Sequence, residues 1–342
     1  MTPFVTIVIP TFNREATLPR TLASLRAQTD PDWECVLVDD GSSDKTLALA
    51  HKSAQEDARF RVLERPADRP KGANACRNLG AESSQADFLI FLDSDDVLTP
   101  NCVATRKACQ LRHPQVDLWV FTSEIRNEHS LAPQRFNRDP HPEETLPYLA
   151  MFLSDQVPWL IMSPLWRKSA FEQVGGFDAS LQRHQDADLH VRALLAGLKV
   201  HRAHGPADNA WMIGEEHKRR DLDWRKRQLA ATLIYLQRCG EALQGSPNQA
   251  YLKPHWKYFW YRIYKDLFCW YPDQLRSEKS QYDELMHRFQ VFHPQDRQAL
   301  RKVFFCIRFR ARTGRRITRW ERQVDEHFGR CLTGGATPGK AE

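Results

Sequence analysis

The chain has 342 residues, of which 42% are hydrophobic, 11% aromatic and 27% charged. This composition excludes a disordered or low-complexity protein, and the length suits one large α/β domain with an appendage, or two domains. No apolar run approaches the roughly 20 residues that a membrane-spanning helix needs. Met1 leads straight into a strand-like segment, so we expect no signal peptide. Eight scattered cysteines without a CxxC pair indicate a reduced, cytoplasmic protein.

The net charge of +6 is unevenly distributed along the chain. Residues 1–214 carry 23 basic and 28 acidic side chains, a net charge of −5, whereas residues 215–342 carry 26 and 15, a net charge of +11. A difference of this size predicts different partners for the two parts.

The first part of the chain alternates between predicted strands and predicted helices. Residues 5–10 are almost wholly apolar, as in a strand of a parallel sheet that helices cover on both faces. Leu18, Leu22 and Leu25 then fall on one side of a predicted helix. The other predicted strands are residues 34–38, 61–63, 87–92 and 118–121, and the other predicted helices include residues 73–83 and 186–196. This alternation predicts an α/β fold with an open, mostly parallel sheet flanked by helices.

Three further segments of the chain have patterns that predict local structure. Thr99 and Pro100 predict a helix start, with Thr as the N-cap and Pro at the first helical position. Residues 127–147 are rich in Pro, Asn, His and charged residues, which predicts a loop. After Glu215 the pattern becomes long, helical and rich in aromatic residues, which predicts a mainly helical C-terminal extension.

Carboxylates follow two of the predicted strands. Asp39-Asp40 ends one strand, and Asp93-Ser94-Asp95-Asp96 ends another. Ligands of an open α/β sheet bind beyond the carboxyl ends of its strands, where clustered carboxylates repel each other unless a cation lies among them. A divalent ion such as Mg²⁺ or Mn²⁺, held by carboxylate and phosphate oxygens, fits this chemistry. Asp is also common as a helix cap, which is the role we favour for Asp44.

The sequence has no GxGxxG motif after the first predicted strand and no GxxxxGKS/T motif, so we expect neither a dinucleotide site nor a P-loop. The turn at residues 10–15 instead suits the packing of a base or ribose. Arg77, near the start of a predicted helix, can offer its planar guanidinium group to a phosphate or a base edge. The alternative is that Arg77 is an ordinary surface residue.

Four motifs stand in order at the ends of predicted elements: Pro10-Thr11-Phe12-Asn13-Arg14-Glu15, Val38-Asp39-Asp40-Gly41-Ser42-Ser43-Asp44, Gly72 with Arg77-Asn78, and Phe91-Leu92-Asp93-Ser94-Asp95-Asp96. Together they resemble the family 2 glycosyltransferases over about residues 3–215. The resemblance implies the GT-A fold and an enzyme that transfers a sugar from a nucleotide-sugar donor with inversion at the anomeric carbon. It also implies a catalytic domain at residues 1–215, followed by a basic, aromatic-rich helical extension at residues 216–342.

The resemblance also implies which residues bind the nucleoside of the donor. Pro10, Phe12 and Glu15 would line the pocket for the base and ribose. Thr11 and Asn13 lie in the same turn and would contact the nucleotide-sugar as well.

Further roles follow for the residues after the other strands. Asp40 would accept a hydrogen bond from uracil N3–H, and Arg77 would lie near the base or the diphosphate. Asp93 would contact the ribose or the metal, with Ser94 beside it in the donor site. Asp95 would hold the metal that bridges the diphosphate.

His217 is a further candidate metal ligand, because many members of the family place a histidine near the diphosphate at this point. The alternative is an ordinary surface histidine. His184, His201 and His204 lack metal-ligand spacing, so we expect them to be structural.

The acceptor side begins at Gly175-Gly176-Phe177-Asp178. The family pattern continues with a Glu-Asp pair at a helix start, and here Gln185 replaces the Glu whereas Asp186 retains the Asp. By resemblance, Asp186 is the general base that takes the proton of the attacking hydroxyl. The dipole of a helix N-terminus lowers the pKa of an acid, so burial or partners must counter that effect. The alternatives are that Asp186 only caps its helix, or that Asp188 is the base.

The C-terminal part combines aromatic and basic residues. Residues 251–272 interleave aromatic side chains with lysines and arginines, and residues 297–330 hold eleven basic side chains against three acidic ones. Basic helices with an aromatic side suit an anionic membrane surface. The alternative is a helical subdomain whose aromatic residues form a core and whose arginines are solvated. No nucleic-acid-binding module is recognised, so we expect no nucleic-acid partner.

The sequence therefore predicts an inverting glycosyltransferase that uses Mg²⁺ or Mn²⁺ and a UDP-hexose or UDP-N-acetylhexosamine donor. The expected acceptor is a hydroxyl of a growing cell-surface glycan, in lipopolysaccharide, a capsule or a lipid-linked chain. The expected location is the cytoplasm, at the cytoplasmic face of the inner membrane.

The sequence disfavours two alternative functions. A nucleotidyltransferase on a related fold would need a glycine-rich loop after the first strand, and residues 10–15 contain no glycine. A non-catalytic scaffold that binds nucleotide-sugars is disfavoured because Asp40, Arg77, Asp95 and Asp186 are all present.

Overall fold

The computed structural model describes residues 2–127, 134–136, 145–213, 222–269, 271, 273–313 and 318–333. The chain divides into two compact units, the first with residues 1–148 and 157–220 and the second with residues 149–156 and 221–342. The predicted domain boundary after residue 215 lies outside the described residues. None of the helices in the described part of the chain is both long and apolar enough to span a bilayer.

The first unit contains the described strands, which are β1 (Val5–Thr11), β2 (Trp33–Asp39), β3 (Phe60–Glu64), β4 (Phe88–Phe91), β5 (Val97–Leu98), β6 (Leu118–Val120), β7 (Ser123–Asn127), β8 (Gln134–Arg135), β9 (Pro164–Arg167), β10 (Val200–Arg202) and β11 (Asn209–Ile213). Seven of them form a sheet in the order β10-β6-β9-β4-β1-β2-β3. Only β9 runs antiparallel to its neighbours in this sheet, so the predicted open, mostly parallel sheet is confirmed. The other four form a small sheet in the order β5-β11-β7-β8, which the sequence analysis did not predict.

The helices before residue 213 are α1 (Leu18–Arg26), α2 (Thr46–Glu56), α3 (Ala73–Glu82), α4 (Cys102–Arg112), α5 (Thr145–Leu153), α6 (Lys168–Gln173) and α7 (Gln185–Leu195). Leu18, Leu22 and Leu25 of α1 are buried, as their spacing predicts. All seven residues of β1 and of β2 are buried too, which explains their apolar sequences.

Register places the chemically important residues at one edge of the larger sheet. Thr11 at the end of β1 lies opposite Asp39 at the end of β2. On the other side of β1, Val8 lies opposite Phe91, the last residue of β4. The segments that follow these three strands therefore emerge close together.

Two local predictions were wrong. Helix α4 begins at Cys102 with Asn101 at the N-cap position, so Thr99 is not its N-cap. Thr99 is instead drawn into the small sheet region, since its backbone N–H donates to the Asp208 carbonyl at 2.9 Å. The predicted loop at residues 127–147 contains β8 and the start of α5. The Pro-rich and charged residues before α5 led to the loop prediction, although α5 itself is apolar.

The second unit is helical, as predicted. Its later elements are α8 (Leu222–Leu243), α9 (Gln249–Ile263), a π-helical turn (Tyr264–Phe268), α10 (Arg276–Arg288), α11 (Pro294–Thr313) and α12 (Thr318–Thr333). Trp256, Phe259, Trp260 and Tyr261 are buried, and the Tyr282 hydroxyl of α10 donates to the Trp260 carbonyl at 2.9 Å. These aromatic residues form the core of this unit, so for α9 the alternative of a helical subdomain with an aromatic core is confirmed.

Candidate active site

A cavity of about 370 Å³ opens in the first unit beyond the carboxyl ends of β1, β2 and β4. Its lining residues come from four segments: Pro10, Thr11, Phe12, Arg14, Asp40, Gly72, Ala73, Arg77, Asp93, Ser94 and Asp95. Most of the residues predicted to bind the nucleotide-sugar are in this lining. The parallel strands account for this convergence, because each delivers its following loop to the same edge of the sheet.

The wall that follows β1 offers an exposed aromatic ring. Phe12 is 42% exposed, although β1 before it is wholly buried. The Lys71 ammonium group lies 4.3 Å from the centroid of this ring. An exposed ring in a cavity is a platform on which a planar base can stack.

Asn13 and Glu15, which were also predicted to bind the donor, are not in the cavity lining. Asn13 has a left-handed φ of 53°, and its side-chain oxygen accepts a hydrogen bond from the Ser43 N–H at 2.9 Å. Glu15 accepts from the Lys45 N–H at 3.0 Å, and its own N–H donates to Asp44 at 3.1 Å. Both residues hold the turn after β1 against the start of α2.

The two carboxylates that end β2 have different environments. Asp39 accepts hydrogen bonds from the N–H groups of Gly41 and Ser42, at 3.0 and 2.8 Å, and so stabilises its own turn. Asp40 is 6% exposed and lines the cavity. The Arg65 guanidinium, from the residue after β3, donates to one oxygen of Asp40. Sequence reasoning missed Arg65, and the available signal was a basic residue at the end of a neighbouring strand.

Asp44 was expected to cap α2, and it does so from one residue before the N-cap position. Its carboxylate accepts a hydrogen bond from the Thr46 N–H at 2.9 Å, and Thr46 is the first residue of the helix.

Arg77 is a buried residue of α3, 3% exposed, so the alternative that it is an ordinary surface arginine was wrong. One arm of its guanidinium donates to Asp93 at 2.5 Å, and another donates to Asn74 at 3.0 Å. The group also lies over the Phe177 ring, 5.3 Å from the centroid. The guanidinium is therefore fixed in orientation at the floor of the cavity.

The segment after β4 places three carboxylates within four residues. Asp93 and Asp95 line the cavity with side chains that are 36% and 30% exposed. Asp96 is buried and accepts a hydrogen bond from the Met212 N–H of β11 at 2.9 Å. Burial, together with the charges of Asp93 and Asp95, raises the pKa of Asp96 to about 9. Asp96 was not among the predicted site residues.

Arg14 is a further lining residue without a predicted role. Its guanidinium lies 3.9 Å from the Asp95 carboxylate, and its side chain is 34% exposed. Its backbone N–H donates to the Thr46 hydroxyl of α2 at 2.6 Å, which positions the residue at the rim of the cavity.

Asp186 is the second residue of α7, which has His184 at its N-cap position, so Asp186 is not the cap of its helix. One of its oxygens accepts from the Ala187 N–H at 2.9 Å. Burial raises the pKa of Asp186, whereas the nearby Arg77 lowers it and Asp93 raises it again. These influences place Asp186 in the electrostatic field of the Arg77–Asp93 pair. The effect of burial on the pKa thus outweighs the backbone hydrogen bonds and the Arg77 charge that lower it, as a general base at this position requires.

Asp188, the alternative base, is held in a structural ion pair. The Arg192 guanidinium donates to it at 2.9 Å from Nε and lies 2.8 Å away at a second nitrogen. The same guanidinium donates to the carbonyls of Val174 and Gly176. Asp188 therefore orients the arginine that ties α7 to the segment before it, and Asp186 is the better placed of the two acids.

Two asparagines of α3 connect the donor cavity to the segment that precedes Asp186. Asn74 donates to the carbonyls of Asp178 and Leu181, both at 2.8 Å. Asn78 donates to the Phe177 carbonyl at 2.7 Å and accepts from the Phe177 N–H at 2.9 Å. Gly176 permits this approach, because a Cβ there would lie 2.8 Å from the Asn78 side chain. The structural roles of both asparagines were missed by sequence reasoning.

Of the two predicted metal ligands, the structure describes Asp95 but not His217. Within the described residues, no group of three or more His, Cys, Asp or Glu side chains could hold a metal ion. His184, expected to be structural, is half-buried, and desolvation lowers its pKa to about 3.

The fold and the cavity define an α/β protein with a nucleotide-sized, carboxylate-lined site at its strand ends. Residues 6–132 match the model of the family described as Glycosyl transferase family 2. This match confirms the resemblance to family 2 glycosyltransferases, and it covers the four cavity-lining segments.

Known proteins support the same class. An uncharacterized glycosyltransferase from Haemophilus influenzae is 34% identical over 28% of this chain and 38% of its own length. The Escherichia coli UDP-Glc:alpha-D-GlcNAc-diphosphoundecaprenol beta-1,3-glucosyltransferase WfgD is 31% identical over 38% of this chain and 52% of its own. The chain thus spans at most about half the length of these two curated relatives.

Staphylococcus aureus TarS 1–349, whose crystal structure was determined in complex with UDP-GlcNAc, resembles nearly the whole chain. It superposes with a TM-score of 0.65 at 18% identity, over 96% of this chain and 92% of the TarS chain. At this level of identity the likeness concerns the fold, and it confirms the predicted GT-A fold with its helical C-terminal region.

Proposed function

We propose that the protein transfers a hexosyl or N-acetylhexosaminyl group from a UDP-sugar to a hydroxyl of a growing cell-surface glycan, with inversion at the anomeric carbon. The observation that supports this proposal most strongly is that an acidic cavity lies near a second acid, Asp186. The cavity lined by Phe12, Asp40 and Asp95 also contains the Arg77–Asp93 pair, whose charges act on the half-buried carboxyl group of Asp186. The cavity suits a nucleotide diphosphate, and Asp186 suits the removal of a proton.

The nucleoside end of the donor fits the wall built by β1 and β2. The exposed ring of Phe12 supplies a stacking surface for uracil. Asp40 has one oxygen engaged by Arg65, and its carboxylate can accept the uracil N3–H through the other. Arg65 and burial hold this carboxylate in place, so little ordering of the side chain is needed when the base binds.

The diphosphate end fits the segment after β4, and a divalent cation fits the donor set there. Asp93 and Asp95 expose carboxylates to the cavity, and burial together with these two charges raises the pKa of Asp96 behind them. Proteins commonly hold Mg²⁺ through one or two carboxylates together with phosphate oxygens. When bound, Mg²⁺ or Mn²⁺ would neutralise charge on the departing diphosphate. Arg14, beside Asp95, would contribute a second positive charge to the phosphates.

The acceptor end depends on Asp186. An attacking hydroxyl must lose its proton in the transition state, and a carboxylate with a raised pKa is a stronger base than an exposed one. A single attack opposite the diphosphate inverts the anomeric centre, so the reaction needs no covalent nucleophile. Asn74 and Asn78 of α3 hold the segment before Asp186 and thereby fix the distance between base and donor.

We also propose that the acceptor is a lipid-linked glycan and that the protein works at the cytoplasmic face of the inner membrane. The name of the Escherichia coli relative states that it acts on a diphosphoundecaprenol-linked sugar. The net charge of +11 on residues 215–342 supports a position beside anionic lipid.

The test of the transfer function needs no acceptor. Purified protein is incubated with Mn²⁺ and, in separate reactions, with UDP-hexoses, UDP-N-acetylhexosamines and GDP-sugars, and nucleotide release is measured over hours. We expect slow release of UDP from one class of UDP-sugar, because water replaces the missing acceptor. Release of GDP alone, or pyrophosphate formation from a sugar phosphate and UTP, would contradict the proposal.

A further inference from the structure

The second unit exposes aromatic side chains on two neighbouring helices. Phe304 and Phe305 of α11 are 37% and 53% exposed, and Trp320 of α12 is 43% exposed. These three account for most of the five large hydrophobic side chains that are exposed within the described residues. The ring centroids of Phe305 and Trp320 lie 6.3 Å apart, so the two helices present one aromatic patch.

The patch is not a continuation of the core. The core face of α11 consists of Val303, Cys306 and Ile307, which are at most 3% exposed. Arg301 is exposed three and four residues before Phe304 and Phe305, on the face away from that core. The aromatic side chains therefore face solvent beside a basic residue.

Two of the four acidic residues of these helices, Asp296 of α11 and Asp325 of α12, pair with groups of the same unit. Asp296 is 2% exposed and lies 2.7 Å from the Lys257 ammonium of α9 and 2.8 Å from the His327 ring. Asp325 accepts hydrogen bonds from the Tyr261 hydroxyl at 2.5 Å and from Lys265 at 2.6 Å. Residues of α9 and of the π-helical turn thus compensate two of the negative charges that would otherwise offset the outer arginines.

Among the described residues, no acidic partner is found for the arginines around the aromatic patch. Arg301, Arg319 and Arg322 are exposed, and no ion pair joins them to another residue in the part of the chain that the structure describes. Arg319 and Arg322 flank Trp320 on α12. We call Arg301, Phe304, Phe305, Arg319, Trp320 and Arg322 the α11–α12 surface.

We propose that the α11–α12 surface docks the protein on an anionic lipid bilayer. The arginines bind lipid phosphates, and the three aromatic side chains enter the headgroup region, where an apolar ring is favoured. The mutual packing of Phe305 with Trp320 and with Phe309, also at 6.3 Å, favours an apolar patch over separate stacking platforms for the bases of a nucleic acid. This inference rests on the proposed position beside a membrane and names the surface responsible, but it does not depend on the transfer reaction.

The test measures cosedimentation of the full chain with lipid vesicles. One set contains equal parts of phosphatidylglycerol and phosphatidylcholine, and the other contains phosphatidylcholine alone. We expect binding to the anionic set only, with release at high salt, because bound arginines are screened by ions. The double variant Phe305→Ala, Trp320→Ala should weaken binding about tenfold, and each of Arg301→Gln, Arg319→Gln and Arg322→Gln should weaken it about fivefold.

The control variants alter exposed side chains that lie in the first unit, outside the α11–α12 surface. Leu111→Ala removes a side chain that is 69% exposed, and Lys52→Gln neutralises one that is 71% exposed. Both should bind vesicles as the unaltered protein does. Every variant is also checked for UDP affinity and for its circular dichroism spectrum, so that loss of folding is recognised.

Three results would overturn the proposal. The first is equal binding by the surface variants and the controls, and the second is equal binding to both vesicle types. The third is that the same six residues are required for binding to RNA, or for self-association seen by light scattering, while vesicles are not bound. Since no donor or acceptor is present, failure here leaves the hydrolysis test untouched, and failure of that test leaves this one untouched.

Discussion

The candidate site of the first unit and the helical second unit place their carboxylates in different environments. In the first unit, Asp93, Asp95 and Asp96 crowd together after one strand, with Asp186 in the same electrostatic field. In the second unit, the buried Asp296 is matched by Lys257 and His327. Acids whose pKa is raised, as for Asp96 and Asp186, are costly to the fold and are typical of functional sites, whereas a matched acid holds helices together. The environment of the acidic residues therefore distinguishes the unit with the candidate active site from the second unit more clearly than net charge does.

The largest effect is expected from Asp186→Asn. Loss of a general base typically slows a reaction by about 10² to 10⁴-fold, so sugar transfer should fall by roughly that factor while the affinity for UDP is unchanged. Because the pKa of Asp186 is raised, transfer by the unaltered protein should rise with pH as this carboxyl group loses its proton. Transfer rates, and UDP affinity from calorimetry, provide the measurements.

The matched control is Asp188→Asn, two residues further along the same helix. Its loss frees Arg192 from an ion pair, so it should lower the melting temperature more than Asp186→Asn does. If Asp186→Asn retained full activity and Asp188→Asn did not, the base would be Asp188 and the comparison of the two acids would be reversed.

The next largest effect is expected from Asp296→Asn, in the second unit. Breaking a buried ion pair on one side typically costs about 3 kcal/mol, so the free energy of unfolding should fall by about that amount with UDP affinity unchanged. Asp283→Asn, which removes a half-exposed pair with Lys279, should cost less than about 1 kcal/mol. Chemical denaturation of the three proteins gives these values.

The same aspartate predicts a pH dependence of stability. Burial opposes the charge of Asp296, but hydrogen bonds from Lys257 and His327 hold its pKa below the usual 3.8. The stability that this carboxylate contributes is therefore present above pH 3.8 and is lost as the pH falls through its lowered pKa. Asp296→Asn should flatten the stability curve in that acidic window, and an unchanged slope would contradict the assignment.

Removal of divalent ions should have a smaller effect, confined to the first unit. UDP should bind at least about tenfold more tightly with Mn²⁺ than with EDTA, a difference of roughly 1.4 kcal/mol. Asp95→Asn should abolish this difference, while Asp57→Asn, at the end of α2, should keep it. Equal affinities with Mn²⁺ and with EDTA in the unaltered protein would remove the proposed metal role of Asp95.

The smallest effect is expected from Arg14→Met at the rim of the cavity. Its guanidinium is about one-third exposed, so the contact with a phosphate should contribute only about 1 kcal/mol, or about fivefold in affinity. UDP should bind that much more weakly, and uridine should bind as before. Equal weakening of both ligands would assign Arg14 to the nucleoside instead of the diphosphate.

Much of the candidate site follows from local sequence patterns. Apolar runs that end in Asp40 and in Asp93 predict parallel strands, and parallel strands bring their carboxyl ends to one edge. Contacts between distant segments were not predictable in this way. Arg65 reaches Asp40 from the next strand, and Asn78 reaches Phe177 across 99 residues.

The sequence alone determined the class of the fold, the strand ends at which acids gather and the change to a basic helical region, because these depend on local periodicity and composition. The tertiary structure decided that an arginine holds Asp188 and that burial raises the pKa of Asp186. It also decided that the α9 aromatics are core whereas Phe305 and Trp320 are exposed. The physical reason is that desolvation and ion pairing depend on neighbours brought together by folding, which residue spacing along one segment does not reveal.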